Sequence, residues 1–182
     1  MGKWQKDVNG SPVFLDNAVI NFELRFDPER LCHLLGIESI ARGQVKYNQL
    51  REYKGKKGWD NIENGTVDFK RLKTLNKKKF QSVKAKFVYF YLIPDLIEKP
   101  LAVKFDGAKV EPLVRIESEV LFYSIYENAV IHLGIDKDDK EDFYFPRTVF
   151  VEKLGDDNVE DIYTVNQIKI DVEKKERIIL LW

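Results

Sequence analysis

The chain has 182 residues, 44% of them hydrophobic and 33% charged, with basic and acidic side chains in equal number. That composition supplies one sizeable core under a well-solvated surface and excludes a chain disordered over most of its length. A single cysteine, Cys32, excludes an intramolecular disulfide, and no apolar run approaches the roughly 18 residues of a membrane helix, so a cytoplasmic protein is expected.

No apolar segment of signal-peptide type follows the charges at the start, and residues 1–12 are expected to be flexible. Residues 19–26 alternate with a strand period, with Val19, Ile20, Phe22, Leu24 and Phe26 apolar and Asn21, Glu23 and Arg25 polar. Asp27-Pro28 then opens a helix, as N-cap and first helical residue, and that helix carries Leu31, Leu34 and Leu35 before stopping near Gly36. A polar stretch punctuated by Gly43, Gly55, Gly58 and Gly65 holds a short helix at 45–53. A second helix is expected at 66–75 with Thr66 as its cap, and a third at 77–93, ended or kinked by Pro94.

From residue 100 the pattern changes to strands: 101–105, a turn at Asp106-Gly107, and a hairpin of 120–126 with 129–135. Its two-residue turn is Glu127-Asn128, with Asn128 able to take a positive φ. A polar loop at 136–141 leads to a strand at 143–151, a turn at 155–158, and a closing pair of strands at 163–172 and 177–181. The order predicts an α+β fold, an N-terminal strand and helices packed on a C-terminal antiparallel β-sheet, in a single domain with its core at 17–172.

The zero net charge hides an asymmetry. Residues 42–104 hold sixteen Lys and Arg against six Asp and Glu, whereas 105–176 hold nine against eighteen. An anionic partner would explain this, and so would two halves that neutralise each other across the fold.

Phosphate loops of Walker or Rossmann type and a G-x-S-x-G nucleophile elbow are absent from the sequence. Two histidines and one cysteine make no familiar zinc site unaided. The acidic run Asp136, Asp138, Asp139, Glu141 and Asp142 lacks the glycine and terminal glutamate of a calcium loop and reads as a solvated turn. No metal and no cofactor are expected.

Three groups of residues carry chemistry. His33 can accept and give a proton near neutrality, although a histidine flanked by leucines is as readily a buried structural one. In the segment Phe143-Tyr144-Phe145-Pro146-Arg147-Thr148-Val149-Phe150, Arg147 offers a fork for phosphate and Tyr144 and Thr148 offer hydroxyls. The alternative there is an edge strand protected by its proline. Finally, the basic stretch with Lys77, Lys78, Lys79 and Lys84, interleaved with Phe80, Phe87 and Tyr89, suits a polyanion, or simply a solvated helix face over a packed core.

Together, Ile20-Asn21-Phe22-Glu23, the run Leu31-Cys32-His33-Leu34-Leu35-Gly36-Ile37 and the late Pro146-Arg147-Thr148-Val149 resemble the phage- and mobile-element-associated members of the barnase/EndoU/colicin/RelE-like nuclease superfamily. The resemblance implies helices on a twisted antiparallel sheet and RNA cleavage without metal, by attack of the ribose 2′-hydroxyl to leave a 2′,3′-cyclic phosphate. It implies His33 as general base or acid, Arg147 as phosphate clamp, and Thr148 and Tyr144 as supporting donors. His132 is held in reserve for the second proton transfer. RNA is then the expected partner, with an immunity protein as a further one, in the setting of a toxin or phage effector. A non-catalytic binding or inhibitor protein on the same fold is the competing reading.

Overall fold

The structure, a computed structural model, describes residues 3–6, 12–15, 23–98, 101–112, 116–154 and 161–172. β1 (Lys3–Lys6) and β2 (Pro12–Leu15) form a two-stranded antiparallel ribbon. Of the strand expected at 19–26, residues 19–22 lie outside the described part. The remainder makes one parallel bridge, Leu24 to Tyr144, in which the Arg25 N–H donates to the Tyr144 carbonyl at 2.9 Å and the Tyr144 N–H to the Glu23 carbonyl at 2.7 Å.

The helical half contains more turns than the sequence pattern announces. α1 (Pro28–Leu34) starts on Pro28 as expected; the Asp27 carboxylate makes no cap hydrogen bond and instead pairs with Arg30 at 3.4 Å. Gly36, at φ 76°, ends this helix and begins α2 (Ile37–Ala41). The short helix expected at 45–53 is a 3-10 helix over Tyr47–Tyr53, and α3 (Gly55–Glu63) forms through a segment whose glycines read as breaks. Gly58 is needed there for close approach, since a Cβ on it would lie 2.7 Å from the Tyr53 carbonyl carbon and 2.8 Å from Cys32 Sγ.

α4 (Phe69–Leu75) is capped by Asp68, which accepts the Arg71 N–H at 2.7 Å, and not by Thr66. α5 (Lys77–Tyr89) is capped by Asn76, which accepts the Lys79 N–H at 3.0 Å. Pro94 falls in the first turn of α6 (Ile93–Glu98), where a missing N–H costs nothing, so it starts a helix after α5 has ended.

β3 (Leu101–Lys104), β4 (Val120–Tyr126), β5 (Ala129–Lys137), β6 (Tyr144–Lys153) and β7 (Ile168–Ile170) make an antiparallel sheet in the order β6-β5-β4-β3-β7. In the β4–β5 turn it is Glu127, at φ 51°, that takes the left-handed conformation, in place of the expected Asn128. The strand expected at 163–172 is reduced to β7, preceded by turns over 162–166; the turn at 155–158 and the strand at 177–181 lie outside the described residues.

Strand alternation divides the sheet into two buried faces. Phe122, Ile131, Leu133, Ile135 and Val149 meet Leu34 of α1 and Ile93, Leu96 and Ile97 of α6. A second, all-helical core joins Leu31, Cys32 and Leu35 to Ile40, Tyr53, Leu72, Phe80 and Val83. On the opposite face, Val103 and Leu121 pack with Phe105, Val110, Tyr123, Phe150, Ile162 and Tyr163, so the segment leading into β7 lies across the sheet. The α+β architecture with helices first and strands second is as expected. No helix among the described residues is long and apolar enough to cross a membrane.

Candidate functional site

β6 is the outermost strand of the sheet and carries Tyr144, Arg147 and Thr148. Its register with β5 slips at one place: Gly134 faces Thr148 but Ile135 faces Pro146, which leaves Arg147 as the extra residue of a bulge. Such a bulge re-aims the side chain that it carries. The Arg147 guanidinium reaches the surface, where Nη2 donates to Glu117 Oε2 at 2.9 Å and Nε lies 3.6 Å from Asp136 Oδ2. Glu117 is 82% exposed, so that pairing is held in water and contributes little, about 0–1 kcal/mol.

Gly134 sets the neighbourhood of Thr148. A Cβ on Gly134 would fall 2.8 Å from Thr148 Cγ2, 2.9 Å from Ser118 Cβ and closer still to Ser118 Oγ. The missing side chain therefore lets Ser118 and Thr148 close over β5. Tyr144, half-buried, has its hydroxyl pKa raised first by burial and then by the Glu119 carboxylate.

His33 lies in the last turn of α1 and is exposed, although Leu31, Cys32, Leu34 and Leu35 around it are buried. Helical spacing explains this, because a residue at its position points away from the stripe formed by Leu31, Leu34 and Leu35. α1 packs against β6, and three residues before His33 the Arg30 guanidinium sits 3.8 Å from the centre of the Phe145 ring. Among the described residues, no hydrogen bond or ion pair joins the His33 imidazole to Tyr144, Arg147 or Thr148.

Lys77, Lys78, Lys79 and Lys84 are exposed along α5, and among the described residues none of them is in an ion pair. Beside them Phe69 is 61% exposed, with its ring 5.1 Å from that of Phe87 and 6.3 Å from that of Phe80. Lys86, in the last turn of α5, behaves differently. It is half-buried, its ammonium donates to the Leu34 carbonyl at 3.4 Å, and burial, then Lys79, lowers its pKa. It ties α5 to the C-terminal end of α1, where a cation is favoured.

His132 is fully buried on β5, stacked on Phe150 at 4.3 Å, which removes it from contact with a bound substrate in this arrangement. Its Nε2 lies 2.9 Å from Asp161 Oδ2, which also accepts the Thr164 hydroxyl at 2.7 Å, while Asp161 Oδ1 accepts the Tyr163 N–H at 3.1 Å. Burial works to raise the Asp161 pKa, but the hydrogen bond and charge of His132 outweigh it and hold the carboxyl at about 2. Burial and then Asp161 push Glu152 up to about 7. The ligand-capable atoms of His132, Glu152 and Asp161 all lie within 4.8 Å of one another, a set able to hold a metal ion.

Neither Glu152 nor Asp161 stands out in the sequence, since they lie nine positions apart and belong to no motif. The strand register is what unites them: His132 faces Phe150, which puts Glu152 diagonally across from it on the same face of the sheet.

No curated protein and no solved structure matches the chain. A family model does: the one described as phage-Barnase-EndoU-ColicinE5/D-RelE like nuclease4 matches residues 13–180, a span that holds His33, the β6 bulge and the whole sheet. Nucleic acid is the substrate class that this description implies. The chain belongs to the phage-Barnase-EndoU-ColicinE5/D-RelE like nuclease 4 family.

Proposed function

We propose that the protein is a metal-independent endoribonuclease whose chemistry lies along β6 and the neighbouring end of α1. The observation that carries this reading is Arg147, set out of register by a bulge on the outermost strand of a nuclease-family fold, with its guanidinium at the surface. A fork of N–H donors at that place can grip a phosphate at two points and stabilise the charge that develops on the phosphorane.

In this mechanism the 2′-hydroxyl loses its proton to a general base and attacks the adjacent phosphorus. The P–O5′ bond breaks, a 2′,3′-cyclic phosphate forms, and a general acid returns a proton to the leaving 5′-oxygen. His33, exposed and with no carboxylate on its imidazole among the described residues, supplies one of these transfers. Thr148 and Tyr144 donate hydrogen bonds to the phosphate oxygens. The exposed Lys77, Lys78, Lys79 and Lys84 hold the RNA backbone, and Phe69 provides a face on which an unpaired base stacks. A nuclease of this kind, carried by a phage or mobile element, acts as a toxin or effector and is restrained by a protein partner. Its place of action is the cytoplasm.

The test is incubation of the purified protein with total RNA and tRNA, in chelator and in its absence, beside His33→Ala and Arg147→Ala. Cleavage in both conditions with cyclic phosphate ends, reduced at least 100-fold in each folded variant, is the expected result; loss of one oxyanion-type donor costs about 10²–10³ in rate. A second reading, a non-catalytic binding protein on this fold, draws on the two carboxylates that already answer Arg147. Intact RNA at enzyme excess in both conditions, with retention of RNA on the immobilised protein, would favour it.

A further inference from the structure

The face of the sheet opposite the helices carries a group of side chains that RNA cleavage does not use. His132 comes from β5, Glu152 from β6 and Asp161 from the segment that leads into β7. We propose that these three residues bind one divalent transition-metal ion, Zn2+ by preference, and that the ion fastens the 161–167 segment to the sheet. The site is structural and stands independently of the nuclease reading.

The geometry fits a small cation. A tetrahedral zinc with bonds of about 2.1 Å holds its ligand atoms about 3.4 Å apart. Here three such atoms lie within 4.8 Å of one another, and His132 Nε2 approaches Asp161 Oδ2 to 2.9 Å. Rotations that move the outer atoms by about 1.4 Å bring them onto one ion. One imidazole nitrogen with two carboxylate oxygens is a donor set for zinc or manganese; calcium and magnesium call for more oxygen ligands and retained water.

The surroundings point the same way. Glu152 Oε2 is buried and has no hydrogen-bond partner, so one oxygen of the group is available for coordination. Partly buried carboxyl groups beside one another, as Glu152 and Asp161 are, carry a cost that a cation or proton between them offsets. The Asp161 carboxylate is held from behind by the Thr164 hydroxyl and the Tyr163 N–H, the kind of outer support that orients metal ligands. Phe150, stacked on the imidazole, and Tyr163, edge-on to it at 5.3 Å, wall the group off from water. Without an ion the same residues form a hydrogen-bonded lock, and Glu152 Oε2 is left buried and unpartnered.

The experiment uses the full chain, stripped with chelator and then freed of it. Zn2+, Mn2+ and Mg2+ are added separately, and binding is followed by calorimetry and by thermal unfolding. The expected result is one equivalent of Zn2+, with Tm raised by roughly 5–10 °C at free zinc about 100 times Kd, and no shift with Mg2+. Glu152→Gln, which keeps size and hydrogen bonding, should match the wild-type Tm in chelator yet bind Zn2+ at least tenfold more weakly. Asp161→Asn should also bind Zn2+ at least tenfold more weakly, with a lower Tm in chelator because its amide nitrogen can no longer accept a hydrogen bond that the carboxylate oxygen accepts. His33→Ala should bind zinc as the wild type does. No saturable Zn2+ binding, an equal response to Mg2+, or undiminished binding by both carboxyl variants would overturn the site and leave the hydrogen-bonded lock. Because the readouts are binding and Tm, failure here and failure of the nuclease assay are separate results.

Discussion

Gly134→Ala isolates the geometry that places Thr148. Gly134 has no positive φ, so alanine is compatible with its backbone, and a strand alanine alone would gain roughly 0.5–1 kcal/mol over glycine. Opposing this, the new methyl would lie 2.9 Å from Ser118 Cβ and 2.8 Å from Thr148 Cγ2, with Ser118 Oγ closer. Rotation can remove Oγ from the way, but the Cβ contact can be relieved only if the backbone moves. Overpacking of this kind costs about 1–3 kcal/mol, so the net expected loss is roughly 0.5–2 kcal/mol. With a urea m-value of about 2 kcal/mol/M, the midpoint falls by about 0.3–1 M. In a Ser118→Gly background, where both serine atoms are gone, at least half of the loss should disappear. A Gly134→Ala protein as stable as the wild type, or an unchanged loss in the Ser118→Gly background, would refute the crowding argument. If Thr148 takes part in cleavage as proposed, the rate should fall along with the stability.

Gly58→Ala should destabilise by about 1–3 kcal/mol in urea titration although alanine is the better helix former, because the Tyr53 backbone 2.7 Å away cannot yield; a stabilised variant would contradict this. Leu133→Ala, which empties a fully buried position between sheet and helices, should cost about 2–5 kcal/mol in the same assay. Burial, and to a lesser degree Glu38, pushes the Cys32 thiol up to about 11, so the neutral form prevails at pH 8 and the native protein should resist thiol reagents until denaturant is added; labelling of native protein within minutes would refute its burial. Replacing Lys77, Lys78, Lys79 and Lys84 together by alanine should flatten the salt dependence of single-stranded RNA binding, lowering the slope of log K against log salt by up to about 3. An unchanged slope would move the RNA path away from α5.

The parts of this fold that were legible in the sequence are those written in short-range pattern. Pro28 and Gly36 bracket α1, and the alternation of 120–126 and 129–135 gives the hairpin. What was hidden depends on distant partners. α3 runs through Gly55 and Gly58 against local preference because Gly58 lets the helix press on Tyr53 and Cys32, and nothing near it in sequence says so. His33 could be named as a candidate, but its exposure depends on which residues of α1 face the sheet and which face the helical core. The same limit explains Glu152 and Asp161, which join His132 only once the strand register and the path into β7 are known.

The pairing of Glu23 and Arg25 with Tyr144 has a consequence for the order in which the molecule comes together. It closes a loop of about 120 residues, and such a closure costs entropy that only the completed contacts repay. During synthesis α1 can wind and join the helical core through Leu31, Cys32 and Leu35 while β6 is still unmade. Arg147 therefore takes its place in the bulge of the outermost strand only after most of the chain has left the ribosome. If the site lies along β6 as proposed, a chain assembled in that order stays without it while most of its own translation proceeds.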